Sequence, residues 1–450
     1  MIPVVTPEEM AAIDRAAPEP VDVLVARAGK AVTLRALSML GGGYGRRVVV
    51  VAGKGNNGND GRDATRRLRQ RGVRVEVLDA ATVGPGERLG PCDLVIDAAY
   101  GTGFRGEYEA PDPGGTPVLA VDIPSGVNGL TGEAAPGAVQ ADVTVTFAAL
   151  KPGLLLYPGR GLAGSVTVAD IGLDTSSVTA DVVEADDVSS WLPPRPPETH
   201  KWRAAIWLVA GSPGMAGAAA LAAGGAQRAG AGYVRLSSPG ADLGTAVPQE
   251  VVRTKVPHVA WDTDVLEGLG RFKALIVGPG LGTDPATAPA VQRVVLESPI
   301  HTVVDGDGLT ALGTHVGSYT HPLSVLTPHD GEYERLMGQP PGADRIEAAR
   351  ALARTANATV LLKGATPVVA DYEGRVFLVT TGDARLATAG TGDVLSGIIG
   401  GLLAQGVHPL RAAASAAWLH GRASTLGPRR GLVASDLLEC LPAVFDDLEA

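Results

Sequence analysis

The chain has 450 residues, 45% of them apolar and 19% charged, which excludes a disordered chain and suits two or three domains of roughly 150 residues each. Its formal charge is −10, without the basic clusters that follow a phosphate backbone, so no nucleic-acid partner is expected. Cys92 and Cys440 are too few for a disulfide scaffold or a cysteine zinc site, no apolar run approaches the ~18 residues of a spanning helix, and the first residues lack the basic start and apolar core of a secretory signal. A cytoplasmic, glycine-rich α/β enzyme with no membrane partner is therefore expected. Its 60 glycines are nearly twice the usual ~7% share and follow no Gly-X-Y period, which places the excess in turns and ligand-facing loops.

In chain order, residues 6–40 carry helical spacing and open on Thr6-Pro7-Glu8-Glu9, an N-cap followed by proline at the first helical position. Short β-branched runs then alternate with turns, at residues 47–52, 73–78, 93–97, 118–122, 143–147 and 165–169. That alternation predicts a mostly parallel sheet with helices on its faces. Near residue 190 the segment Trp191-Leu192-Pro193-Pro194-Arg195-Pro196-Pro197 can continue neither a helix nor a central strand, and it predicts a boundary between domains 1–190 and 191–450. The second half restarts the same pattern at residues 205–210, 233–237, 274–277, 302–305, 324–326 and 359–363. A hairpin across 368–380, turning at Asp371-Tyr372-Glu373-Gly374, precedes an apolar helix over 394–404. There is no internal repeat, so each half reads as its own α/β domain.

After the first strand, Gly53-Lys54-Gly55-Asn56-Asn57-Gly58 fits G-x-G-x-x-G, and Glu76 or Asp79 follows about 20 residues on, formally a dinucleotide fingerprint. Asn59-Asp60-Gly61 argues against that reading, because it places a carboxylate at the helix start where a pyrophosphate would sit. Asn56, Asn57, Asn59 and Asp60 suit a hydroxyl-rich or amide-bearing ligand, or a hard cation. A plain Asn/Asp/Gly turn is the competing reading. Three further segments follow strands, where open parallel sheets bind ligands. They are Asp97 with Gly101-Thr102-Gly103-Phe104-Arg105-Gly106-Glu107, Asp122-Ile123-Pro124-Ser125-Gly126, and Lys151-Pro152-Gly153.

Together these segments resemble the NAD(P)H-hydrate epimerase domain over roughly residues 1–175. The resemblance implies a Rossmann-like, three-layer α/β/α fold. It also implies that Asn56–Asp60, Gly101–Glu107 and Asp122 contact the hydrated nicotinamide nucleotide, with Asp122 as acid/base and Lys151 beside it, and that Asn57, Asp97 and Ser125 hold a potassium ion. Two departures stand out. Asn59 replaces a usual glycine, and Ala26-Arg27-Ala28-Gly29 replaces a usual Glu-Asn-Ala-Gly, which removes an amide that would help shape the site.

In the second half, Ala389-Gly390-Thr391-Gly392-Asp393 leads into the apolar helix. Backbone N–H groups at a helix start form an anion hole for a phosphoryl group, and an aspartate at the same turn can take a proton from an attacking hydroxyl. A structural N-cap with an acidic first turn is the competing reading. Four more loops follow strands: Gly211–Ala219, Gly278–Gly282, Thr327-Pro328-His329 and Lys363-Gly364-Ala365-Thr366-Pro367. They describe a broad nucleotide-plus-substrate cleft, and no G-x-x-x-x-G-K-[ST] is present, so this is not a P-loop enzyme.

This set resembles the ribokinase-like ADP- or ATP-dependent NAD(P)H-hydrate dehydratase over about residues 195–450. The resemblance implies that Ala218, Gly280, His329 and Asp393 meet the hydrate, and that Lys363–Pro367 and Asp383–Gly392 meet the nucleotide. Epimerase followed by dehydratase in one chain is the layout of the bifunctional NAD(P)H-hydrate repair enzymes. It implies epimerisation of NADHX and NADPHX and dehydration of the (6S) forms to NAD(P)H, with ADP giving AMP and phosphate, Mg²⁺ offsetting the nucleotide charge, and assembly as a homo-oligomer. The alternative is a ribokinase-like hydroxymethylpyrimidine or thiazole kinase fused to a non-catalytic ligand-binding domain, which leaves Asn56–Asp60 and Asp122–Gly126 unexplained.

Overall fold

The structure is a computed structural model, describing residues 1–449 except 243, 245 and 246. It forms two compact units, residues 2–180 and residues 181–450 with Met1. The chain enters the second unit before the proline-rich segment, because Val183 and Val188 are already buried in the second core.

In the first unit the helical stretch 6–40 is two helices, α1 (Pro7–Ala16) and α2 (Val21–Leu40). Pro18 and Pro20 explain the break, since a residue before proline is disfavoured in the α region. Thr6 caps α1 as expected: its hydroxyl accepts from Glu9 N at 3.1 Å, and the Glu9 carboxylate accepts from Thr6 N at 2.7 Å. Then follow β1 (Arg47–Ala52), α3 (Asn56–Gln70), β2 (Arg74–Asp79), β3 (Leu94–Ala98), β4 (Val118–Val121), β5 (Val143–Phe147) and β6 (Ser165–Ala169). The sheet is parallel, in the order β2-β1-β3-β4-β5-β6. The order reverses between β1 and β3, the switch point at which open α/β sheets bind ligands. Val48, Val50, Leu94, Ile96, Leu119 and Val121 face α2 and α3 residues such as Val32, Ala36, Ala64 and Leu68. The alternate residues Val49, Val51, Val95 and Val118 pack instead on Leu89, Cys92, Tyr100, Tyr108 and Val139. The cover on that face is loop: the connections 80–93, 99–117 and 122–142 are long, rich in glycine and proline, and form no helix.

In the second unit β7 (Ala205–Val209), α4 (Ala216–Arg228), β8 (Tyr233–Ser237), β9 (Ala274–Val277), β10 (His301–Val304), β11 (Ser324–Leu326), α5 (Asp330–Met337) and β12 (Thr359–Leu362) precede the hairpin β13 (Val368–Ala370) and β14 (Val376–Leu378). Neighbouring strands run β14-β13-β12-β11-β10-β9-β7-β8, antiparallel at β12-β13-β14 and parallel in the rest of this run. Pairing of Val277 with Val209 and Val304, and of Val304 with Leu326, brings Gly278, Asp305 and Thr327 to one edge of the sheet. Ile206, Leu208, Ile276, Val303 and Leu361 are buried with the apolar helices α6 (Thr391–Ala404) and α7 (Pro409–Leu426). Trp207, Leu275 and Val277 on the alternate positions are buried too, the sign of a parallel sheet covered on both faces. Among the described residues no helix is long and apolar enough to cross a membrane.

Candidate functional sites

The first unit holds a cavity of about 760 Å³ at the switch point. Asn56, Asn57, Asp60, Gly101, Thr102, Gly103, Phe104, Arg105, Glu107, Asp122 and Lys151 line it, whereas Gly58, Asn59 and Gly106 do not. The polar run after β1 is the first turn of α3 rather than a loop, so Asn57 and Asp60 fall on its buried side and Asn59 on its exposed side. Gly58 is needed for packing: a Cβ there would lie 1.9 Å from the Gly53 carbonyl oxygen.

Asp122 follows β4 with φ +67, a conformation a non-glycine residue holds only when its surroundings enforce it. Its N–H donates to Val145 O at 2.7 Å, and its Oδ1 sits 2.8 Å from Lys151 Nζ and 3.1 Å from Thr146 Oγ1. Lys151 is fully buried and donates to Thr146 Oγ1 and Phe147 O. Asp60 is buried without a compensating hydrogen bond; burial first, then Asp122, Asp63 and Asp14, push its pKa up to about 8. Both amide atoms of the Asn57 side chain are buried and lack a hydrogen-bond partner. Polar groups left so are costly unless a ligand completes them. Asp14, on α1, adds a third carboxyl that the sequence did not mark.

Asp97 and Ser125 meet directly, and Asn57 is hydrogen-bonded to neither. Asp97 accepts from Ser125 Oγ at 2.7 Å and Ser125 N at 2.8 Å, and Ser125 Oγ accepts from Tyr100 N at 2.9 Å. Burial outweighs these bonds and raises Asp97 to about 6. The Arg27 departure is absorbed outside the cavity lining: its guanidinium donates to Ile171 O at 2.7 Å and to Glu19 at 3.0 Å.

In the second unit, α6 opens at Thr391, with Gly390 before it at φ +89. A Cβ on Gly392 would lie 3.4 Å from Lys363 Nζ, so the lysine stands beside the glycine-lined helix start. Lys363 donates to Asp305 Oδ1 at 2.6 Å and has Glu332 at 3.9 Å. Asp305 also accepts from Thr327 Oγ1 and Ser396 Oγ, each at 2.7 Å. Burial works against its ionisation, but Lys363 and these hydroxyls overcome it and hold the carboxyl below its ordinary range. Asp393 is pushed up to about 6, by burial first and then by Asp305, with Lys363 opposing.

Gly280 and Ala218 come together, a Cβ on the glycine lying 2.8 Å from that of Ala218. His329 caps α5, its Nδ1 accepting from Gly331 N and Glu332 N, which leaves Nε2 as its remaining polar atom. Lys363 N donates to Pro328 O at 2.8 Å, joining the His329 and Lys363 loops. Gly364 is backed by Arg345, which donates to Lys363 O at 2.6 Å, while Thr366 is buried and Pro367 O accepts from Val379 N. Asp383 caps the short turn Ala384–Leu386 and pairs with Arg385 at 2.8 Å, and Ala389 is exposed.

Sequence reasoning missed Asp305, Glu332 and Arg345. Asp305 carried a usable signal, as the acid ending a predicted strand. Among the described residues no group of three or more His, Cys, Asp or Glu could hold a metal ion.

Comparison with known proteins places each unit in a family. A family model described as NAD(P)H-hydrate dehydratase matches residues 206–442, and one described as YjeF-related protein N-terminus matches residues 21–89 and 79–153. The chain is 36% identical to the bifunctional NAD(P)H-hydrate repair enzyme Nnr of Moorella thermoacetica, across 99% of its own length and 97% of the relative's. It is similar to the crystal structure of ADP/ATP-dependent NAD(P)H-hydrate dehydratase from Bacillus subtilis co-crystallised with ATP and Mg²⁺, at 30% identity and TM-score 0.51, covering 59% of this chain and 98% of that one. A ribokinase-like superfamily protein from Enterococcus faecalis V583 shares the fold at TM-score 0.54 and 24% identity, covering 60% of this chain and 96% of that one. With a helix start opened by glycines beside a lysine in one unit, and unpartnered Asn57 and Asp60 facing an Asp–Lys pair in the other, the chain belongs to the family of bifunctional NAD(P)H-hydrate repair enzymes.

Proposed function

We propose that the second unit dehydrates (6S)-NADHX and (6S)-NADPHX with ADP as phosphoryl donor, and that the first unit interconverts the C6 epimers. The observation that carries the reading is Asp393, a desolvated carboxyl at a glycine-opened helix start with Lys363 beside it. Asp393 takes the proton of the C6 hydroxyl, the oxygen attacks the β-phosphoryl group of ADP, and AMP leaves. The Gly390–Gly392 amides and Lys363 meet the charge that develops on the phosphoryl oxygens. The ring nitrogen lone pair then expels phosphate from C6, and loss of a C5 proton restores the double bond. Magnesium, when bound, would neutralise nucleotide charge; with no metal-holding group of three or more His, Cys, Asp or Glu among the described residues, it would be held mainly through the nucleotide phosphates. Purified protein incubated with mixed NADHX epimers and ADP regains the near-ultraviolet absorbance of NADH; no regain overturns the reading.

For epimerisation, Asp60 protonates the C6 hydroxyl, water leaves to give the ring iminium, and water returns to the other face while Asp122 takes its proton. Asp122→Ala then leaves a slow second phase when the epimer mixture is dehydrated with excess ADP, where wild type consumes the whole mixture in one. Because the acid must carry its proton, wild-type epimerisation falls as pH climbs through about 8, and Asp60→Asn is slow at every pH. Identical biphasic traces from wild type and Asp122→Ala would remove the epimerase assignment.

A potassium ion fits the Asn57, Asp97 and Ser125 oxygens. The Asn57 amide oxygen is buried and unpartnered, Asp97 is a buried carboxyl, and three oxygens with one formal charge suit a hard monovalent cation. The ion would tie the start of α3, the end of β3 and the loop after β4 together and raise the local positive potential. Asp97→Asn keeps the size but removes the charge and one of the two acceptor oxygens. Wild-type epimerisation is faster in potassium than in tetramethylammonium at equal ionic strength, and the variant loses that difference; equal rates for both proteins in both salts remove the ion.

A further inference from the structure

We propose that His420, on α7, is a positioning residue for phosphoryl transfer: its imidazole holds the first turn of α6 so that the amides around Gly392 face the transferring group. The proposal rests on the dehydratase reading and adds a residue outside every loop that carries that reading.

His420 is buried in an apolar stretch of α7, between Leu419 and Gly421 and one turn from Ala416 and Ala417. A buried imidazole needs partners for its polar atoms. Its Nε2 lies 2.9 Å from the carbonyl oxygen of Thr391. That oxygen can only accept, so Nε2 carries the hydrogen. Burial, with the Lys363 charge adding to it, pushes the imidazole pKa down to about 4, so the ring stays neutral at neutral pH. The Thr391 carbonyl and the Gly392 N–H belong to one trans peptide, in which the two groups point in opposite directions. Drawing the carbonyl toward α7 therefore aims the N–H away from it. Lys363 Nζ stands 3.4 Å from where a Gly392 Cβ would be, so that peptide borders the cationic side of the site.

The other end of the same segment is tied to the same turn of α7. Thr381 Oγ1 donates to Trp418 O at 3.3 Å. A Cβ on Gly421 would lie 2.5 Å from Thr381 O, so the helix and the loop meet backbone to backbone. Thr391 is fixed further by its own hydroxyl, which donates to Leu386 O and Thr388 O. The turn Trp418–Gly421 thus braces both ends of residues 381–391, the segment that carries Asp383 and the glycine-opened helix start.

The test compares His420→Gln, which can still place an N–H near the Thr391 carbonyl, with His420→Leu, which cannot, and His420→Asn, whose amide is too short. Three quantities are read on the full chain: kcat for dehydration, Kd for ADP by calorimetry, and epimerisation by the other unit as a control. His420→Leu and His420→Asn lower kcat by about 10- to 100-fold, the loss that a small misplacement of a reacting group produces. The Kd for ADP changes by less than about threefold, a shift of under 1 kcal/mol, epimerisation is unchanged, and His420→Gln recovers most of kcat. Wild-type kcat in His420→Leu overturns the proposal. If His420→Leu does not fold, equal kcat in His420→Gln and His420→Asn overturns it instead. A wild-type protein without dehydratase activity would be a failure of the functional reading, seen before any variant is made.

Discussion

Asp393→Asn lowers dehydration by about 10²- to 10⁴-fold, the usual worth of a positioned general base, while ADP still binds. The asparagine keeps the volume and one acceptor oxygen and removes the charge and the ability to take a proton. The group is built for that transfer, since burial and Asp305 raise its pKa to about 6, close to the pH at which it must work. Dehydration by wild type therefore falls as pH drops through about 6, where the carboxyl becomes protonated. Stability moves the other way. An acid whose pKa is raised on folding binds its proton more tightly in the folded chain, so folding weakens as pH climbs from about 4 to about 6. Removing the charge lifts that cost, and Asp393→Asn unfolds at or above the wild-type temperature at pH 7. Turnover within a factor of three of wild type would eliminate Asp393 as the base.

Asp305→Ala destabilises the second unit by about 3–5 kcal/mol, the cost of leaving one partner of a buried ion pair alone. The variant leaves the Lys363 ammonium with the more distant Glu332, at 3.9 Å, and the Thr327 and Ser396 hydroxyls without their acceptor. Asp305 is held below and Lys363 above their ordinary values, so the contribution is lost only in acid, as the carboxyl protonates, or in strong base. It is constant across the neutral range. All five tryptophans, at positions 191, 202, 207, 261 and 418, lie in the second unit, so urea unfolding followed by tryptophan fluorescence reports on that unit. The double variant Asp305→Leu with Lys363→Met separates stability from chemistry: it regains much of the stability, because apolar groups can replace a buried pair. It does not regain dehydration, because the cation beside Gly392 is gone. A loss below about 0.5 kcal/mol for Asp305→Ala, within the range of an ordinary surface change, would mean that the pair contributes nothing.

Strands and loop chemistry were readable from residues 47 to 52 or 274 to 277 because a buried parallel strand is a short β-branched run whatever surrounds it. The strand-end loops were readable for a related reason: glycines, Asn and Asp at strand ends have few structural uses at such density. Helix breaks were less visible. The periodicity of residues 6–40 is continuous, and only Pro18 and Pro20, acting on backbone conformation, divide it.

The linear order of residues was enough to expect two α/β units, a loop-rich edge at the strand ends of each sheet, and the candidate acids Asp122 and Asp393. Those depend on local pattern and on residue types whose chemistry does not change with context. The state of each group does change with context, and for that the packing was needed. Asp60 is pushed toward its protonated form by burial first, and then by Asp122, Asp63 and Asp14 nearby. Asp393 is tuned by Asp305, which is 88 positions away in the chain and reaches it through strand register. His420 lies in a helix whose sequence reads as plain core, and its role follows from a single carbonyl 29 positions distant. Desolvation and Coulomb coupling act through space, so the charge on a side chain is a property of its neighbours, and its neighbours are set by the fold.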